Sequence, residues 1–170
     1  MQKISAEIVE RTWKEPESWS DEKLEEENSK LLAEQPELYS YIMYFVSEYD
    51  IDVQEVGLWI FFMVYRMYRT AYGKPIPRIN EKEIINKAKE TEERFESLKD
   101  DPGEMLEEIE ETQAIGQPEI WRYITEALME DSSEEDVELE EEAIGELTVM
   151  YKTVVELLDE AVEKVSATGN

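Results

Sequence analysis

Cysteine and histidine are both absent from this chain of 170 residues. The first absence excludes disulfides, thiolate chemistry and Cys-ligated zinc. The second removes the commonest general base and metal ligand at neutral pH. Long hydrophobic runs are missing too. The longest, Val56 to Tyr65, is about half of the ~20 apolar residues that a membrane-spanning helix needs. Met1 to Lys14 has charges scattered through it and no apolar core of a secretion signal, so the expected compartment is the cytoplasm. No segment reads as a convincing strand.

Positive charge is scarce. Seventeen Lys and Arg stand against 44 Asp and Glu, for a net charge of −27. Such a surface repels nucleic acid and anionic membranes, so neither is expected as a partner. Glu outnumbers Asp by 36 to 8, whereas a salt-adapted surface is expected to use both. The charge serves solubility, and it also suits a surface that grips a basic partner. Its distribution is uneven: Val56 to Asn80 holds no acid and four cations, Arg66, Arg69, Lys74 and Arg78. Four Trp, nine Tyr and four Phe are ample for a packed interior and argue against wholesale disorder. Length and composition point to a single helical domain over residues 1–170.

One segment occurs nearly twice. Gln35 to Ile42 reads QPELYSYI, and Gln117 to Ile124 reads QPEIWRYI. At the same offset Glu22 to Ile42 overlies Glu104 to Ile124, and further on Val56-Gly57 corresponds to Ile144-Gly145. The expectation is an all-α fold of about eight helices, with two duplicated three-helix units in one compact bundle. The units are placed at residues 20–72 and 101–165, joined by a connecting helix at 80–98. An acidic loop is placed at 130–142, where nine of 13 residues are acids.

Helical punctuation supports this division. Ile4, Ile8, Val9 and Trp13 form a short first stripe that ends before Pro16. Ser20 is placed to cap a helix running to about Glu34. Pro36 suits the first turn of the next helix, whose apolar face is Leu38, Ile42, Phe45, Val46 and Tyr49. Asp52 with Glu55 has capping-box spacing and starts a long helix to about Tyr72, in which Gly57 permits close helix contact. Asn80 with Glu83 caps the connecting helix, along which Ile84, Ala88, Phe95 and Leu98 mark a narrow stripe. Helices follow at about 103–114 and 118–130. The last helix carries Leu147, Met150, Tyr151, Val154, Leu158, Ala161, Val162 and Val165 on one face, and Ser166 to Asn170 reads as a frayed tail.

Two carboxylate pairs carry the most specific chemistry. Glu108 and Glu111 are three apart, as are Glu156 and Asp159, so each pair shares a helix face. Two such pairs on adjacent helices form the oxygen-rich set that Mg²⁺ prefers. With E-x-x-E on one helix and E-x-x-D on another, the chain resembles in outline the all-α nucleotide pyrophosphohydrolases of the MazG type, over a minor part of its length. The resemblance implies a Mg²⁺-dependent hydrolase whose metal, held by Glu108, Glu111, Glu156 and Asp159, activates water for attack on a phosphoryl group. Arg122 and Lys152 are the candidates to hold phosphates. The same spacings also describe a solvated acidic face, which is the expectation here.

Other motifs read as architecture. Tyr39, Tyr41, Tyr44, Tyr49, Trp59, Tyr65, Tyr68 and Tyr72 interleave with Arg66 and Arg69 as in single-strand binders, but the net charge favours core positions. The strip Arg66, Arg69, Lys74 and Arg78 is the candidate partner-binding surface, for an acidic peptide, a phosphate or the chain's own acidic loop. The repeated Gln-Pro-Glu reads as a helix corner. Residues 131–142 are no calcium loop, since the sixth position is Asp136 where glycine is needed. The reading that follows is a non-enzymatic protein with no cofactor, acting on a basic or amphipathic protein partner; homo-oligomer formation is a compatible second mode of contact.

Overall fold

The computed structural model describes residues 2–98, 104, 107–111, 116–130 and 139–168. Among these residues there is no strand. The helices are α1 (Ala6–Lys14), a 3₁₀ turn (Glu15–Ser18), α2 (Asp21–Glu34), α3 (Pro36–Val46), α4 (Ile51–Tyr72), α5 (Glu81–Leu98), α6 (Pro118–Glu130) and α7 (Glu141–Thr168). Residues 107–111 are helical as well, while most of the helix expected at 103–114 lies outside the described residues.

Capping explains where the helices begin. The Ser5, Ser20 and Asn80 side chains accept the N–H groups of Ile8, Lys23 and Glu83, satisfying donors that the helix itself leaves open. Asp50, and not Asp52, caps α4 by accepting from Val53 N–H at 3.1 Å. Asp52 has Glu55 at the right spacing, but the helix has already begun at Ile51, so Asp52 sits within its first turn. Gly73 ends α4 with φ 82°, the left-handed conformation that favours glycine after a helix.

Several further expectations change. On α1 the buried residues are Val9 and Thr12, while Trp13 is exposed. Tyr49 lies beyond the end of α3, in the turn before Asp50. The helical backbone continues through Ser166 to Thr168, so the tail is helical to that point. The acidic segment is shorter than 130–142: Glu130 belongs to α6, Glu141 and Glu142 open α7, and Leu139 is buried. Residues 131–138 lie outside the described residues.

The long helices α4 and α7 pack on each other at the centre. In α4 every residue from Ile60 to Tyr68 is buried, and in α7 so is every residue from Met150 to Val155. The expected single apolar face of α7 is therefore too narrow; Lys152 and Thr153 are buried with it. Gly57 sits where α3, α4 and α7 meet. A Cβ there would lie 3.0 Å from Val46 Cγ1, and the Tyr151 hydroxyl donates to the Gly57 carbonyl at 2.5 Å. Around this pair, α1 packs on α4 and α6, and α5 packs on α7 and α3.

The two Gln-Pro-Glu corners hold the chain segments that precede α1 and α5. Gln35 is fully buried; its amide donates to the Ile76 and Pro77 carbonyls and its oxygen accepts from Ile79 N–H at 3.1 Å. Gln117 is buried as well; its amide donates to the Gln2 carbonyl and its oxygen accepts from Ile4 N–H at 2.9 Å. In each case the anchored isoleucine is buried and the next residue, Asn80 or Ser5, caps a helix. Each corner thus fixes where another helix starts.

Candidate functional site

Two regions hold most of the residues singled out by sequence, and a third comes from the structure. The basic strip is the first, and its members turn to different internal partners. Arg66 is only 9% exposed. It pairs with Glu15, donates to the Thr12 carbonyl and stacks 4.3 Å from the centre of the Trp19 ring. Arg69 meets Glu34 through its Nε at 3.0 Å, and Glu34 also accepts from the Tyr65 hydroxyl. Arg78 grips Glu37 of the first Gln-Pro-Glu corner. Lys74 Nζ lies 4.9 Å from the centre of the Tyr72 ring. Complementarity within the molecule therefore describes Arg66, Arg69 and Arg78, with carboxylates supplied by the 3₁₀ turn, α2 and α3. The acidic segment considered as a partner lies largely in residues 131–138, outside those described.

A hollow of about 270 Å³ between α5, residues 107–111 and α7 is the second region. Glu108, Glu111, Glu156 and Asp159 all line it, so the four residues picked by spacing share one hollow. Arg94 and Lys152 line it too. Arg94 takes Glu108 in a forked contact of 2.5 and 2.7 Å, which holds the Glu108 carboxyl below the usual range. Lys152 meets Glu156 at 2.6 Å. Asp159 accepts from the Tyr68 hydroxyl at 2.8 Å and from the Gln117 amide at 3.0 Å; burial raises its carboxyl to about 6. Among the described residues no three acids come together in an arrangement that could hold a metal ion. Cations hold Glu108 and Glu156, and neutral donors hold Asp159 through Oδ1.

Sequence reasoning missed Arg94. It lies on the charged back of α5, 14 positions from the carboxylate it binds, and no local signal places it there. Arg122, the other candidate for a phosphate contact, lies on α6 with Glu119 and Glu126 around it. It does not line the hollow.

The third region was not foreseen. A groove of about 700 Å³ runs between α2 and α4. Leu24, Tyr39, Leu58, Trp59 and Phe62 line it with apolar surface, and Asp21, Glu25 and Glu55 stand along it. Trp59 is 39% exposed, with its ring 5.5 Å from that of Phe62. Trp19 meets Phe62 edge-on from the other side. The sequence signal was present in the unbroken apolar run of α4, whose Leu58 and Trp59 remain partly uncovered. Of the remaining aromatic set, Tyr65 and Tyr68 are buried and Tyr44 is exposed, an arrangement that offers no common stacking face.

Comparison with protein-family models, with curated proteins and with solved structures finds no match.

Proposed function

We propose that this chain is a non-enzymatic helical protein that acts by contact with a basic protein partner. The observation that carries the reading is the disposition of charge. Arg66, Arg69, Arg78, Lys87, Arg94 and Lys152 are each held by carboxylates of the same chain. Internal pairing consumes cations that are already few, and exposed acids such as Asp21, Glu22, Glu25, Asp52 and Glu55 set the sign of the outer surface. Complementary charge steers association and fixes which partners are rejected. The test is capture of partners from a lysate across a salt series, with the captured proteins identified and their charge compared with the input. Enrichment of basic proteins that fades as salt rises is expected. Capture indifferent to salt, or without basic enrichment, would sink the reading.

A Mg²⁺-dependent hydrolase is the second reading, favoured by one observation: Glu108, Glu111, Glu156 and Asp159 share a hollow. To bind Mg²⁺ there, Glu108 would have to leave Arg94 and Glu156 would have to leave Lys152. The two displaced cations would then stand beside the metal. The expected result is no thermal shift with millimolar Mg²⁺ or Mn²⁺ and no turnover of nucleoside triphosphates. A shift that Glu111→Gln abolishes would reverse the order of the two readings.

We also infer that the chain is a duplicated unit. The matching contacts of Gln35 and Gln117 support this, as does the way α1 and α5 each pack on a long helix and on the helix after a Gln-Pro-Glu corner. In this reading the units extend beyond residues 20–72 and 101–165, because α1 and α5 become their opening helices and 80–98 is no mere connector.

A further inference from the structure

We propose that the groove between α2 and α4 seats the apolar face of a basic amphipathic helix from a partner protein. The proposal rests on the protein-contact reading above and names the surface that serves it. Two helices side by side leave a trough into which a third helix fits, with its anchors repeating at i, i+3 or i+4, and i+7. The floor here is Leu24 from α2 and Leu58, Trp59 and Phe62 from α4. Trp59 is held from beneath by Phe62, so its ring is in place before any partner arrives, which lowers the ordering cost of binding. Ile51, two turns earlier on the same side of α4, is 62% exposed and extends the apolar track.

Charge complementarity selects the occupant. Asp21 and Glu25 are four apart on α2, and Glu55 lies on α4. None of the three has an ion-pair partner among the described residues. Here an apolar floor is flanked by acids left open, so Lys or Arg beside the anchors of an incoming helix would meet them. A second copy of this chain would bring the same acids and a net charge of −27 against them, which disfavours self-association at this face.

The test uses the full chain and a synthetic helix of about four turns, with Leu at i, i+3, i+4 and i+7 and Lys elsewhere. A control peptide keeps the Leu face and carries Glu in place of Lys. Binding is followed by calorimetry for wild type, Trp59→Ala, the rim reversal Glu25→Lys with Glu55→Lys, and a distant reversal of equal charge, Glu7→Lys with Glu93→Lys. The basic peptide is expected to bind wild type and the acidic one to fail. Trp59→Ala and the rim reversal should each weaken binding about tenfold or more, the loss typical of a central anchor, and the distant reversal less than about threefold. The exposed rim changes keep the test valid should Trp59→Ala fail to fold. Equal weakening by both reversals would overturn the groove and leave the acidic-surface reading intact. So would salt-sensitive capture of basic proteins by a chain that ignores the peptide. Equal binding of both peptides, or a wild-type dimer that Trp59→Ala dissolves, would overturn it as well.

Discussion

Asp159 gathers several arguments in one side chain. It lines the carboxylate hollow, accepts from Tyr68 of α4, and through Gln117 is tied to the segment before α1. Burial raises its carboxyl to about 6, so as pH falls the folded chain takes up this proton before the unfolded chain does. Its contribution favours folding at low pH and is lost as pH rises from the ordinary aspartate range through about 6. Both donors bind the same oxygen, Oδ1, which asparagine retains. Asp159→Asn should therefore gain about 1–3 kcal/mol relative to wild type on going from pH 4 to pH 7.5, read by urea unfolding at each pH. A difference that does not change with pH would show that the carboxylate is well solvated. The residue was legible in sequence as one member of an E-x-x-D pair. Its partners were not, because Tyr68 and Gln117 lie 91 and 42 positions away.

At the level of elements, helix ends were read well wherever the signal is local. Ser20, Pro36, Asn80 and the end of α4 at Tyr72 follow from side chains within a few residues of the boundary. Asp50 and Asp52 show the limit: two acids two apart both fit a cap, and only the path of the chain selects one. The glycines make a sharper contrast. Gly57→Ala should destabilise by about 1–2 kcal/mol, since overpacking against Val46 outweighs the gain in helix propensity. Gly145 is helical with nothing within 4 Å of its would-be Cβ, so Gly145→Ala should stabilise by about 0.5–1 kcal/mol. Thermal melts of the two variants decide the matter, and equal signs would refute the assigned packing. The Gln-Pro-Glu corners were legible as helix starts, but the glutamines themselves were not. Gln35→Leu should cost about 2–4 kcal/mol, because it leaves Ile79 N–H and two carbonyls buried without partners. Chemical unfolding measures this, and a loss below about 0.5 kcal/mol would mean that water replaces the amide.

Across the whole molecule, the all-α architecture was readable because nearly every segment has helical period. The candidate site was readable only in part. Spacing found the four carboxylates of the hollow, while the pairing of Glu108 with Arg94 and of Glu156 with Lys152 is a property of packing. The α2–α4 groove required knowing which side of an apolar helix stays uncovered. Net charge has a further effect on the whole chain. At −27 the folded state carries strong self-repulsion, so raising NaCl from about 10 mM to about 0.3 M should raise the melting temperature. A melting temperature that falls with salt would mean that pairs such as Arg66–Glu15 and Arg94–Glu108 outweigh the repulsion.

The glutamine corners also set an order of events in time. Ile4 is anchored by Gln117, 113 positions later, and Gln117 in turn is braced by Asp159. Helix α1 can dock on α4 early, but the segment before it has no acceptor until Gln117, 113 positions after Ile4, is in place. Contacts so distant in sequence close late and slow the final step of folding. The segment before α1 and the Gln117 corner must therefore coexist before either is fully secured, and a chain truncated before residue 117 would leave Ile4 unanchored, however complete α1 to α5.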